Sequence, residues 1–418
     1  MKRFTFISLC VFALLFGGFI GFNLLVDPYD VARFASIERV NAHKTRAFMD
    51  GSRVYTADRL LHGRYRTVLL GNSRVREGFL TESAPWPGVT LNAGLASSTA
   101  FELGRAAVLA GRARQTGCIV IALELEDFDV STVKGAYWVS ALPDANGALS
   151  LFRQAASTKT FTRSMQTIGD NSAGRAYAES PWRAIYKPGE QRARFVTTAR
   201  DAYRRFRDFT YDPERTLYLA AVIDHLTRRG IQVIAFFSPT HAWREEALFR
   251  AGRADDYFRF RNDMLAALWP SAQRAARAPC VKGPALALWD FAGFQPISQI
   301  EPPDAAATQA DPFFYEASHF TPRVGAAVLR RMASAPTENG LLTPDQFGMR
   351  IDPSTLEQDE AAIRARRAAF LQTQAGREIT ALIDGWARTD RGGGEGRRYY
   401  ITRQDWRALD QDLPPSRP

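Results

Sequence analysis

Thr67-Val68-Leu69-Leu70-Gly71-Asn72-Ser73-Arg74 is a short apolar run closed by a glycine and, two residues later, a serine. The run is too short for a helix and suits a buried strand. Gly71 permits a tight backbone at its end, which would lift the Ser73 hydroxyl to the edge of a sheet. Read locally, Ser73 is equally suited to capping the helix that follows. A second stretch bears on the choice: Pro312-Phe313-Phe314-Tyr315-Glu316-Ala317-Ser318-His319-Phe320-Thr321-Pro322 brings His319 to the start of a helix, with Glu316 three residues before it. Of the five histidines, His43 and His62 precede the sheet and His225 falls in a helical pattern. A base at His319 would reach a serine at the same sheet edge, with Glu316 orienting its ring; Asp311 is a rival for the acid.

Further apolar runs at 89–92, 118–125, 232–237 and 285–291 also read as buried strands. Helical patterns lie between them at 99–114, 213–229 and 254–277, and a last one at 322–332 follows His319. Strands alternating with helices predict an α/β fold, a parallel sheet covered on both faces in three α/β/α layers. Ligands bind such sheets at the carboxyl ends of the strands. Ser238-Pro239-Thr240-His241 ends the fourth strand, so His241 reads as a substrate contact, a second base or a turn residue bonded to backbone.

Residues 4–26 carry no charge and follow Lys2 and Arg3. At ~1.5 Å per residue, a helix of this length crosses the ~30 Å hydrocarbon core of a bilayer. No small-residue cleavage site follows, which favours an uncleaved transmembrane anchor over a signal peptide. The basic tail places the body in the periplasm, outside the inner membrane. The expected organisation is an anchor at 1–26, a stalk at 27–64, a catalytic domain at 65–335 and an extension at 336–418. The catalytic domain carries an insertion at about 130–210, either a plain excursion or a substrate-gripping lid. The extension holds one charged helix at about 354–373 and a flexible glycine-rich end.

The net charge is +10, but 54 basic and 44 acidic residues are intermixed. No basic stripe with interleaved aromatics argues for nucleic acid. No His-Glu-x-x-His, Cys-x-x-Cys or glycine-rich phosphate loop is present, so neither metal nor cofactor is expected. Cys118 and Cys280 are candidates for pairing in an oxidising compartment.

Over roughly 65–335 these residues resemble the SGNH hydrolase superfamily, the GDSL-like esterases. There the nucleophilic serine follows the first strand in a Gly-Asp-Ser-like block, and an Asp-x-x-His block near the domain end supplies acid and base. The resemblance implies a flavodoxin-like sheet, Ser73 as nucleophile, His319 as base and Glu316 as acid, one methylene longer than the usual Asp. Gly94 in Leu91-Asn92-Ala93-Gly94 matches the block whose glycine N–H helps form the oxyanion hole, with the Ser73 N–H as the other donor. The third block, normally Gly-x-Asn-Asp, is here Glu124-Leu125-Glu126-Asp127-Phe128-Asp129. Its oxyanion asparagine is missing, and Asn72 or Asn92 are the candidates to replace it.

With the anchor, Val26-Asp27-Pro28-Tyr29, Ser238-Pro239-Thr240-His241 and Ser318-His319-Phe320, the chain looks more narrowly like membrane-anchored SGNH-like proteins of envelope polysaccharide O-acetylation, relatives of alginate O-acetylation accessory proteins. That likeness implies an O-acetyltransferase or esterase acting on a cell-envelope polysaccharide, partnered by a multi-span membrane acyltransferase. Two other readings stand beside it. One is a catalytically degenerate fold serving as a glycan-binding or assembly subunit; the other is a lipid esterase at the membrane surface.

Overall fold

The computed structural model describes residues 2–45, 47–48, 52–130, 147–175, 188–274, 280–337, 340 and 342–390. The chain divides into two units, residues 1–63 with 136–184, and residues 64–135 with 185–418.

The second unit is a mixed α/β structure built on one sheet. Its strands are β1 (Thr67–Leu70), β2 (Thr90–Asn92), β3 (Cys118–Leu123), β4 (Gln232–Phe237), β5 (Leu286–Asp290) and β6 (Met349–Ile351), in the order β2-β1-β3-β4-β5-β6. The first five pair in parallel, and β6 runs antiparallel along β5. Every residue of β1, β3, β4 and β5 is buried, which is why these segments are continuous apolar runs with no alternation. β2 lies on one side of β1 and β3 on the other, so the strand order reverses at β1. In open parallel sheets the binding crevice forms at such a reversal, beyond the carboxyl ends of the strands. Ser73 follows the end of β1 by three residues.

Helices Ala100–Arg112, Pro213–Arg228 and Ala254–Ala272 pack against one another in succession. Gln191–Arg207 packs on Ala242–Arg250, which also meets Gln374–Thr389. The short helix Ser73–Gly78 lies on Pro322–Met332, the helix just past His319. Two glycines make that last contact close. A Cβ on Gly325 would sit 1.9 Å from the Gly78 carbonyl oxygen, and one on Gly78 would sit 2.0 Å from the Phe320 ring. Neither position has room for a methyl group.

Two boundary expectations are corrected. The segment 130–210 is not a single insertion. Helices Gly147–Ala155 and Thr158–Ser172 belong to the N-terminal unit, where they pack on helix Lys2–Val26. Helix Gln191–Arg207 belongs to the sheet unit. The extension is not separate either, because β6 completes the sheet and helices Leu356–Phe370 and Gln374–Thr389 pack into the same unit. A buried Arg261 guanidinium fastens it, pairing with Asp290 at the end of β5 (2.5 Å) and with Asp359 of Leu356–Phe370. The glycine-rich end, 391–418, and residues 131–146 and 176–187 of the expected insertion lie outside the described residues.

In the N-terminal unit, helix Lys2–Val26 is long and apolar enough to cross a membrane. The expected stalk contains helix Ser52–His62. Cys118 and Cys280 are free thiols that interact with each other and with Thr67: Cys118 is its register partner on β3, and the Cys280 Sγ lies 3.5 Å from its Oγ1.

Gly325→Ala tests the close helix contact. Its Cβ meets backbone, so the helices must separate, at a cost of about 1–3 kcal/mol. The expected result is a lower denaturation midpoint together with a weakened Ser73–His319 pair, read by chemical denaturation and by covalent labelling of Ser73.

Candidate active site

Ser73 is the first residue of helix Ser73–Gly78, and the residue that caps that helix is Asn72, whose Oδ1 accepts from the Arg74 N–H at 2.9 Å. The capping role open to Ser73 is therefore taken, and its hydroxyl is free for another partner. That partner is His319, whose Nε2 lies 2.8 Å from the Ser73 Oγ. The other ring nitrogen, Nδ1, is in hydrogen-bond contact with the Glu316 carboxylate. With Nδ1–H donated to Glu316, Nε2 remains the acceptor for the serine proton.

The segment that carries His319 is held from several sides. Phe314 and Phe320 form an antiparallel bridge, and the Tyr315 N–H donates to the His319 carbonyl at 2.9 Å. Gln191, at the start of its helix, donates from Nε2 to the Phe314 carbonyl at 2.7 Å and accepts from the Asp311 N–H at 2.9 Å. Glu316 is buried and also accepts from the backbone N–H groups of Ser318 (2.7 Å) and His319 (3.0 Å). Burial alone would raise its pKa. The charge of His319, with hydrogen bonds from the His319 and Thr198 side chains and the Ser318 N–H, outweighs burial and holds it at about 2. Asp311, the rival acid, spends Oδ1 on the N–H groups of Phe313 and Phe314, and burial pushes its pKa up to about 6. It is the anchor of the loop, and Glu316 is the partner of the histidine.

Arg74 ties the nucleophile to the histidine through the protein interior. Its buried guanidinium donates to the Ser318 carbonyl and hydroxyl, both at 2.8 Å, and pairs with Glu124 at 2.5 Å and Glu126 at 2.9 Å. Arg244 reaches Glu126 from the other side at 2.6 Å. Burial would raise the Glu126 pKa, but Arg244, Arg74 and Arg205 overcome it and keep the carboxylate well below its usual range. Asp127 behaves oppositely. Burial, with the nearby charges of Glu124 and Glu126, pushes its carboxyl well up, although Asn72 hydrogen-bonds to it.

Four further residues expected at the site have structural jobs. Gly94 is not positioned as an oxyanion donor: its N–H is given to the Asn92 Oδ1 at 3.0 Å. Its Cβ position is blocked by the Arg76 backbone nitrogen at 2.4 Å, so glycine is required there for closeness alone. Asn92 is not a substitute donor, because its Nδ2 clasps the carbonyls of Val75 and Phe79, each at 2.9 Å. Asn72 lines the cleft but its amide is committed to Arg74 and Asp127. His241 is wholly buried, caps helix Ala242–Arg250 by accepting from the Trp243 N–H, and has Nε2 2.8 Å from the Ile300 carbonyl. Burial lowers its pKa to about 4, so it stays neutral and out of reach of substrate.

An open cleft of about 270 Å³ lies over Ser73 and His319, walled by Thr198, Asp201, Ala202 and Arg205 of helix Gln191–Arg207 and floored by Arg74, Glu126 and Arg244. Ser97 and Ser98 reach it from the loop after β2. Ser97 takes a left-handed backbone (φ 51°), and the buried Ser98 Oγ has no hydrogen-bond partner among the described residues. Sequence reasoning missed these groups. Arg74 adjoins the serine and Ser97-Ser98 follows Gly94 closely, but Thr198, Glu126 and Arg244 reach the cleft only through tertiary packing. Among the described residues no cluster of His, Cys, Asp and Glu has a metal-binding arrangement.

No protein-family model matches this chain, and no curated protein or solved structure is similar to it at a significant level.

The low Glu316 pKa sets an acid limit on stability. A carboxylate held at about 2, against an ordinary 4.5, stabilises the fold fully above pH 4.5 and loses that contribution as pH falls toward 2. At 1.36 kcal/mol per pKa unit the effect is on the order of 3 kcal/mol. Denaturation midpoints measured against pH are expected to fall steeply across this window in the wild type and to flatten in Glu316→Gln.

Proposed function

We propose that this chain is a membrane-anchored, periplasmic SGNH-like acyl-ester enzyme with a three-layer, flavodoxin-like domain, acting as an O-acetyltransferase or esterase on a cell-envelope polysaccharide. The observation that carries the reading is the alignment of Ser73 Oγ, His319 Nε2 and the buried Glu316 carboxylate at the sheet's point of reversal. A bare structural role would not require a hydroxyl and an imidazole lining an open cleft with a buried carboxylate behind them. The block resemblance supports the family reading, and the long apolar first helix supports anchoring.

In this mechanism Ser73 Oγ attacks the acyl carbonyl while His319 Nε2 takes its proton, and Glu316 stabilises the imidazolium. The tetrahedral oxyanion is met by the Ser73 N–H, which as the first helical amide has no carbonyl a turn earlier to bond. Ser98 lines the cleft, and its hydroxyl, which has no hydrogen-bond partner among the described residues, is the donor we assign in place of Gly94. Collapse of the intermediate breaks the ester C–O bond, and the leaving alkoxide takes the proton from His319. The acyl-serine then passes its acyl group to a sugar hydroxyl or to water, with His319 again as base. A multi-span membrane acyltransferase that delivers acyl groups across the membrane suits the anchor as a partner.

One observation favours a second reading. The Gly94 N–H is consumed by Asn92, so one oxyanion donor of the family is absent. A degenerate fold that binds glycan or assembles a modification complex would tolerate that loss.

A fluorophosphonate probe is expected to label the wild type and not Ser73→Ala, with acetyl-ester turnover falling on the order of 10⁶-fold in Ser73→Ala. Ser98→Ala is expected to lower turnover by about 10²–10³-fold with little change in KM, as for loss of one oxyanion donor. Equal labelling of wild type and Ser73→Ala, with full rescue of a deletion strain by that variant, would select the second reading.

A further inference from the structure

Helix Thr158–Ser172 is built inside out for a helix in water. Its buried stripe is Thr160, Ser164, Thr167 and Asn171, while Phe161 and Met165 are 39% and 52% exposed. A soluble surface helix hides its apolar residues and shows its polar ones. Helices in lipid associate the other way, through small and hydrogen-bonding residues, with apolar side chains facing outward.

The partner of that polar stripe is the first helix. The Ser164 Oγ donates to the Asn23 Oδ1 at 3.0 Å, and the Asn23 Nδ2 donates to the Ala155 carbonyl at 2.8 Å. Phe161 stacks on Phe19 at 5.3 Å between ring centres and lies 5.4 Å from Phe22. These contacts fix a depth. Residues 2–18 of the first helix are bare, and cover begins at Phe19. From Phe4 to Gly18 the rise is only ~22 Å, whereas a hydrocarbon core is ~30 Å thick and takes ~20 residues, reaching Asn23. A span that starts beside Lys2 and Arg3 thus carries the packed helices to the outer boundary of the lipid.

The rest of this unit agrees. Phe152 on Gly147–Ala155 is 50% exposed, and Phe34, in the loop after the first helix, is 69% exposed. That loop is tied to the same structure by Asn41 Nδ2 donating to the Leu25 carbonyl and by Ser172 Oγ donating to the Arg39 carbonyl. In the much larger sheet unit, the comparably exposed large apolar side chains among the described residues are Val89 and Leu217.

We propose that helices Gly147–Ala155 and Thr158–Ser172 form an interfacial membrane element, seated at the outer rim of the bilayer with Phe152, Phe161 and Met165 against lipid. The occupant of this face is the bilayer itself, and exposed Arg153 and Lys159 beside it suit anionic headgroups. The inference rests on the reading of Lys2–Val26 as a membrane anchor.

Its test is photocrosslinking in the full-length chain reconstituted into phosphatidylethanolamine–phosphatidylglycerol liposomes. A benzophenone amino acid replaces Leu14, Phe152, Met165 or Leu217, one at a time, and lipid adducts are measured by mass spectrometry. Each replaced side chain is already exposed, and circular dichroism verifies the fold of every variant. The expected result is adduct at positions 14, 152 and 165 in similar yield, with at least tenfold less at 217. Adduct at 14 with 152 and 165 no higher than 217, or crosslinks from 152 and 165 to a second copy of the chain, would overturn the interfacial element and leave the anchor standing. Absence of adduct at 14 would remove the anchor, and the element with it.

Discussion

The buried guanidinium of Arg74 is the constraint on which the site depends. It emerges one residue after Ser73, meets Glu124 and Glu126 beyond the end of β3, and holds the carbonyl and hydroxyl of Ser318 just before His319. Serine and histidine lie 246 residues apart in the chain, yet one side chain spans the gap between their backbones. Desolvating such charges costs several kcal/mol per ion, so the cluster persists only while every member is present. Removing one partner typically costs 3–5 kcal/mol, about as much as a buried large side chain, which makes the spacing of Ser73 and His319 a property of the core. The surface has little say in it.

The same arrangement accounts for the departures from the blocks that the sequence resembles. An asparagine after β3 would point one neutral amide at the oxyanion. Here that stretch is Glu124-Leu125-Glu126-Asp127, and its charges are turned inward to Arg74 and Arg244. The segment that serves catalysis in the resemblance serves cohesion here, and the serine pair after β2 comes to the cleft instead.

Much of this was legible in the sequence because it is local. The runs at 67–70 and 232–237 are strands over those same residues, and 322–332 is a helix over the same span, since Pro322 suits a first turn and lacks the N–H that would go unpaired there. Ser73, Glu316 and His319 could be picked out because a strand end and a helix start place them at one edge. What stayed hidden depends on who sits next to whom in space. Nothing around Gly94 announces that Asn92 folds back onto its N–H, and nothing in Ser238-Pro239-Thr240-His241 tells that Ile300 covers the imidazole. β6 escaped notice because three residues on an antiparallel edge make no apolar run. The break within 130–210 escaped for the reason given by helix Thr158–Ser172, whose polar residues face inward and blur the usual periodicity.

Helix Gln191–Arg207 presents two different faces. Thr198, Asp201, Ala202 and Arg205 wall the cleft, while Arg200 and Arg204 grip the Asp390 carboxylate and Arg207 donates to its carbonyl at 2.9 Å. Asp390, just past helix Gln374–Thr389, is thereby a tether on one wall of the cleft. Substitutions around Asp390 can therefore shift that wall while Ser73, His319 and Glu316 stay where they are. On the proposed function, turnover and substrate range can thus drift apart, each adjusted from a different stretch of sequence.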